Sequence, residues 1–286
     1  MKWEGQRESE NVEDRRGQGG GTRIAAGGGL GLIVIVVLSL LFGIDPRQIL
    51  DQGGGQVSEQ QAPGQPYQET PEEAQRSKFA KVVLADTEDT WGAIFHASGK
   101  QYEAPTLVLF RREVQSACGF AQSAMGPFYC PGDHKVYLDL SFFDEMDGKL
   151  QAGGDFAKAY VIAHEVGHHI QTLMGITSQV DAQRAAAGET QSNALSVRTE
   201  LQADCFAGVW ANRTEKEKHI LEAGDIDEAL NAAAAVGDDR LQNRARGYVV
   251  PESFTHGTSA QRSKWFRKGF DSGDTGQCDT FAAATL

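Results

Sequence analysis

The chain has 286 residues, with 39 acidic against 27 basic side chains and a formal net charge of −12. No basic run offsets that acidity, which argues against nucleic acid as a partner. Once the amino-terminal features are set aside, about 215 residues remain, enough for one domain.

Residues 1–23 are charged and glycine-rich and read as a disordered tail. From Ile24 to Ile44 the chain is apolar or glycine throughout apart from Ser39. Those 21 uncharged residues suffice to cross a hydrocarbon core as one transmembrane helix, so bilayer lipid is an expected partner. Arg15, Arg16 and Arg23 precede the run, while Asp45, Arg47 and Asp51 follow it. The positive-inside rule then puts residues 1–23 in the cytoplasm and everything after the single pass outside the cytoplasmic membrane. A cleaved signal peptide is the alternative, but the run is long for one and no small-x-small site follows closely. Residues 45–69, rich in Gly, Gln, Pro and Ser from Asp51 onward, read as a flexible linker to a domain spanning 70–286.

Thr70-Pro71-Glu72-Glu73 opens a helix, with a cap, a proline at the first position and a glutamate at the third. Thr106 to Phe110 and Lys135 to Asp139 read as strands, the second following turn signals at Gly126-Pro127 and Pro131-Gly132. Either could be an edge on which a peptide lies as an added strand. The plainer reading is a small sheet that packs on a neighbouring helix.

His164-Glu165-Val166-Gly167-His168 is an HExxH motif. A helix turns about 100° per residue, so positions four apart lie on one face and both imidazoles can converge on one ion. Glu165 lies about 60° round from His168, poorly placed as a ligand but able to reach a water on the metal. Zinc lowers the pKa of such a water to near 7, and a carboxylate can take its proton. Phe156, Ala159, Ala163, Val166, Ile170 and Leu173 make a stripe at helical spacing, so the motif sits inside a packed helix. Asp155 is the expected N-cap and Gly175 the expected stop. His169 points elsewhere, to the surface or behind a ligand.

A catalytic zinc takes three protein ligands and keeps one position open. Glu200 and Asp204, again four apart, supply what is missing: Glu200 as third ligand, Asp204 as acceptor for the outer nitrogen of a ligand histidine. Leu201, Cys205, Phe206 and Val209 form an apolar stripe beside them, against a merely solvated acidic pair. Asp225 to Arg246 is alanine-rich helix, broken near Gly237-Asp238-Asp239. With few strands, all early, and helices dominating the second half, the fold class is α+β.

All four cysteines follow the apolar run. An even number in an oxidising compartment is compatible with two disulfides in any of three pairings. Cys118 with Cys130 is the expected local bridge, and Cys205 with Cys278 would then tie the carboxy-terminal tail to the Glu200 helix. Zinc ligation by these cysteines is the runner-up, without CxxC spacing to support it.

These motifs, with Gly126-Pro127-Phe128-Tyr129-Cys130-Pro131, Val136-Tyr137-Leu138-Asp139 and Thr255-His256-Gly257-Thr258-Ser259 through Arg262 to Trp265-Phe266, resemble the putative neutral zinc metallopeptidases of bacteria. The resemblance covers roughly residues 70 to 286. It implies a zincin-like domain behind one membrane span, Zn²⁺ as cofactor, and a protein or peptide substrate outside the cytoplasm. His256 and Arg262 are similar to a His…Arg element of the CAAX-processing and heat-shock membrane zinc proteases. That implies His256 as oxyanion donor, with Arg262 as its support or a second donor. The plainer reading makes both helix-cap and surface residues. Gly257 departs from that element, which tends to proline there. The competing function is a non-proteolytic zinc-binding scaffold in the cell envelope, which has no chemical need of Glu165.

Overall fold

The computed structural model describes residues 1–17, 67–123 and 126–286. Met1–Arg16 and Glu69–Leu286 form one compact unit. The expected span Ile24 to Ile44 and the linker through residue 66 lie outside the described residues, among which no helix is long and apolar enough to cross a membrane.

The unit takes in the start of the chain, which corrects the expectation of a disordered tail for residues 1–17. Strand β1 (Val12–Asp14) pairs in parallel with the strand Thr106–Phe110. Trp3 is buried edge-on against Phe79, 5.3 Å between ring centroids. The charges that read as disorder are ion-pair partners instead: Arg7 with Glu88 and Asp89, Glu13 with Lys135, and Arg16 with Asp14 and Glu69. Apart from Asp14, those partners are far away in sequence, which hides the pairing from composition.

Helix α1 (Pro71–Ala97) starts on the expected capping box, Thr70 accepting from the Glu73 amide and the Glu73 carboxylate from the Thr70 amide. Such a cap is worth about 1 kcal/mol. Strands β2 (Thr106–Phe110), β3 (Glu113–Ser116), β4 (Gly119–Gln122), β5 (Phe128–Cys130) and β6 (Lys135–Asp139) follow. The four-stranded sheet has the order β1-β2-β6-β5, with β1, β2 and β6 parallel and β5 antiparallel to β6. β3 and β4 form a separate hairpin. Both strands read from sequence have the expected bounds, but both are interior. The edges are β1 and β5, so neither β2 nor β6 can accept an added strand. A nearly unbroken apolar run such as Thr106-Leu-Val-Leu-Phe110 suits burial on both faces.

The helices come next: α2 (Phe142–Asp147), α3 (Asp155–Leu173), α4 (Ile176–Ala186), α5 (Glu189–Lys218), α6 (Asp225–Ala235), α7 (Asp238–Arg246) and α8 (Ser259–Ser272). The fold is thus α+β. α3 carries the HExxH motif and is buried on nearly every side, not on one stripe. Its N-cap is Gly154, with Asp155 the first helical residue accepting from the Trp3 indole. Gly175 follows its end in the left-handed conformation, as expected. Phe156 stacks on Trp210 of α5 within the shared core. α5 and α8 approach at two glycines: a Cβ on Gly208 would meet the Phe266 carbonyl, and one on Gly269 the Cys205 carbonyl. The disulfides are Cys118–Cys130 and Cys205–Cys278, so these cysteines are not zinc ligands.

Candidate metal centre

His164 and His168 project from one face of α3, their rings 4.8 Å apart and nearly perpendicular. Glu200 reaches them from α5. Its carboxylate oxygens lie 3.2 Å from His164 Nε2 and 3.4 Å from His168 Nε2. One ligand atom from each of the three residues can be chosen so that all lie within 4.8 Å of one another. A tetrahedral ion with bonds of about 2.0–2.1 Å needs ligand atoms about 3.4 Å apart. Two imidazole nitrogens and a carboxylate oxygen at this spacing are a donor set that fits zinc.

The outer nitrogens of both histidines are engaged, which leaves Nε2 facing inward. His164 Nδ1 sits 2.9 Å from Asp204 Oδ1, the contact expected from the sequence. His168 Nδ1 donates to Gln171 Oε1 at 2.9 Å, a partner the sequence reading did not assign. Asp204 is fully buried and also accepts from Tyr160 Oη at 2.5 Å and from Arg262 Nε and Nη2, both at 2.8 Å. Tyr160, one helical turn before His164, carries no sequence signal for this role, because an aromatic within an apolar helix reads as core.

Charge sets the ionisation of this cluster. Burial and Arg262 disfavour a proton on His164, yet Asp204 and Glu200 outweigh them and push its pKa up to about 9. His168 is opposed by burial but raised by Glu200. Burial works against the Glu200 carboxylate, and the two histidines hold it well below the usual range all the same. Asp204 is likewise opposed by burial and brought down to about 2 by Arg262 and His164. Glu165 moves the other way: burial raises its pKa, with the histidines partly compensating.

Arg262 is 3% exposed and bound to Asp204, with Nη2 3.7 Å from Glu200. It is a buried counter-charge to the acidic pair rather than a surface residue. His256 lies on the loop before α8, half exposed, with Nδ1 3.2 Å from Asp238. One Asp238 oxygen accepts the backbone amides of Thr255, His256 and Gly257 and fixes this loop. Gly257 has φ +87°, where proline, locked near −65°, cannot go. That is the physical reason for the departure seen at this position. His169 is fully buried, not at the surface. It ties α3 to Tyr129 on β5 and to the Glu103 carbonyl, and burial lowers its pKa to about 4.

His164, Glu165, His168, Glu200, His256 and Arg262 all line one cleft of about 610 Å³. The edge strand β5, through Phe128 and Tyr129, borders the cleft, as do Thr177, Val180, Asp181 and Arg184 of α4. The cleft therefore brings together every catalytic and ligand residue picked from the sequence, while Asp204 supports it from below.

No solved structure matches the chain. The uncharacterized protein YpfJ of Escherichia coli K12 is 52% identical, over 98% of this chain and 99% of that protein. The uncharacterized proteins Mb2605 of Mycobacterium bovis and Rv2575 of Mycobacterium tuberculosis are each 41% identical, over 87% of this chain and 86% of their own length. Residues 1–281 match the family described as putative neutral zinc metallopeptidase, a match that begins at the strand-forming amino terminus and takes in the whole cleft. The chain belongs to that family.

Proposed function

We propose that this protein is a membrane-attached zinc endopeptidase that hydrolyses peptide bonds of proteins or peptides outside the cytoplasmic membrane. One observation carries the reading: Glu165 lines the same cleft as a complete His-His-Glu donor set without being part of it. A scaffold that only held zinc would have no use for that carboxylate.

Zinc held by His164, His168 and Glu200 supplies a Lewis acid and lowers the pKa of water bound to it. Glu165 takes the proton of the attacking water and returns it to the leaving amine. Its upward-shifted pKa suits both halves of that exchange. His256, which lines the same cleft and whose Asp238 partner raises its pKa, is the candidate donor to the oxyanion. Among the described residues β5 is the terminal strand of the sheet and borders the cleft, so an extended peptide can add to it as a strand. Two disulfides support an oxidising compartment, and the run Ile24 to Ile44 supports attachment to the membrane.

Glu165→Gln is expected to keep zinc at wild-type stoichiometry and to lose hydrolysis of a generic casein or peptide substrate by at least a hundredfold. Glu200→Ala is expected to lose the metal itself. Wild-type turnover in the glutamine variant would remove Glu165 from the mechanism, and full zinc content in the alanine variant would remove Glu200 from the ligand set. Comparing the envelope proteins of wild-type and Glu165→Gln cells then identifies substrates.

A further inference from the structure

His168 has no carboxylate behind it. Its Nδ1 meets the amide oxygen of Gln171, three residues on along α3. Gln171 is 1% exposed, and its Nε2 donates to the Thr199 carbonyl at 2.8 Å and to Gln202 Oε1 at 3.1 Å. Gln202, also buried, donates from Nε2 to the Cys278 carbonyl at 3.0 Å. Thr199 and Gln202 flank Glu200 on α5, and Cys278 is bonded to Cys205 on the same helix.

The direction of every bond in this chain is fixed from its far end. A backbone carbonyl can only accept, so the Cys278 and Thr199 oxygens each require an N–H. Gln202 must turn its nitrogen to Cys278 and its oxygen to Gln171. Gln171 must turn its nitrogen to Gln202 and Thr199 and its oxygen to His168. Flipping either amide would set oxygen against oxygen in a buried site. His168 therefore carries a hydrogen on Nδ1, which leaves Nε2, the nitrogen facing Glu200, as the atom it can offer to a metal.

We infer that Gln171 is a positioning residue for the metal, acting through His168, and that Gln202 and the Cys278 carbonyl hold it in that orientation. The inference rests on the metal-site reading above. Without the Gln171 amide the His168 ring loses both its tautomer and its angle toward the ion, and such losses typically weaken metal binding about 10- to 100-fold.

The experiment is zinc affinity of the full chain by chelator competition, with the melting temperature of the metal-free protein measured alongside. Gln171→Leu is expected to bind zinc about 10- to 100-fold more weakly than wild type. Gln171→Glu keeps an acceptor oxygen against Nδ1 and, as the buried neutral acid, an O–H donor toward the Thr199 carbonyl, and is expected to restore affinity to within a few-fold of wild type. A purely structural glutamine would not show that rescue. Equal affinity in Gln171→Leu and wild type overturns the assignment, as does an equal loss in the glutamate and leucine variants. Should the leucine variant fail to fold, Gln171→Asn, too short to span from His168 to Thr199, replaces it with the same expected weakening and the same overturning result. A wild-type protein that binds no zinc would overturn the metal site itself, and is told apart because then no variant differs from it.

Discussion

His164 and His168 offer the same nitrogen to the site, yet one rests on a buried carboxylate and the other on a neutral amide. The more basic of the two, His164, has its pKa raised to about 9 in the metal-free protein, so at neutral pH it holds a proton that zinc must displace. Zinc affinity should accordingly rise with pH until about 9, with proton release at pH 7 detectable by calorimetry in buffers of different ionisation enthalpy; binding without release would refute it. The same shift sets a stability trend. Because the folded pKa lies above the ordinary 6.5, the His164 contribution is complete below 6.5 and lost as pH rises through 9. Asp204, depressed to about 2, contributes above 3.8 and is lost as pH falls through 2. At this scale the sequence was most legible where spacing alone implies chemistry: His164, Glu165, His168, then Glu200 and Asp204. Gln171, Tyr160 and Asp238 were not legible, because each acts through a partner whose approach only the fold provides.

Between elements, the decisive fit is that of α3 against α5. Gly167, inside the HExxH motif, faces Ala203, and a Cβ there would stand 2.9 Å from the Ala203 carbonyl oxygen and 3.0 Å from its Cα. Backbone cannot yield as a side chain can, so a methyl group must push the helices apart. Overpacking of this kind costs about 1–3 kcal/mol, against a helix-propensity gain of about 1 kcal/mol for replacing glycine. Gly167→Ala should therefore be neutral to moderately destabilising by thermal unfolding. It should also weaken zinc binding, since the two histidines ride on one helix and Glu200 on the other. Unchanged zinc affinity would show that the pair tolerates separation. Helix α1, the two interior strands and the break between α6 and α7 were readable from caps, apolar runs and glycine. Strand order was not, because pairing joins residues such as Val12 and Leu107 that share no local pattern.

Across the molecule, Cys205–Cys278 closes a loop of 73 residues and Cys118–Cys130 one of 12. Loop entropy alone assigns the first about 4 kcal/mol and the second about 3 kcal/mol. Only the longer bridge touches the metal relay, through the Cys278 carbonyl. Replacing Cys205 and Cys278 together by serine should lower both the melting temperature and zinc affinity, whereas replacing Cys118 and Cys130 should lower the melting temperature alone. Equal zinc affinity in the two double variants would detach the bridge from the site.

The parallel pairing of β1 with β2 carries a consequence for sidedness. Backbone groups that share hydrogen bonds share a compartment, so residues 12–14 lie on the same side of any bilayer as residues 107–109. The ion pair of Arg16 with Glu69, N to O 2.6 Å, brings together the two points where the chain leaves and rejoins this unit. One crossing by Ile24 to Ile44 would place those points on opposite faces, so this pairing and a single crossing lead to opposite outcomes for the side on which the amino terminus lies. Every native cysteine is oxidised, so a single thiol introduced at the exposed Glu8 or Lys100 reports its own compartment. An impermeant maleimide applied to intact cells or spheroplasts should label both positions or neither; labelling of one alone would mean that the sheet does not form in the membrane-attached protein.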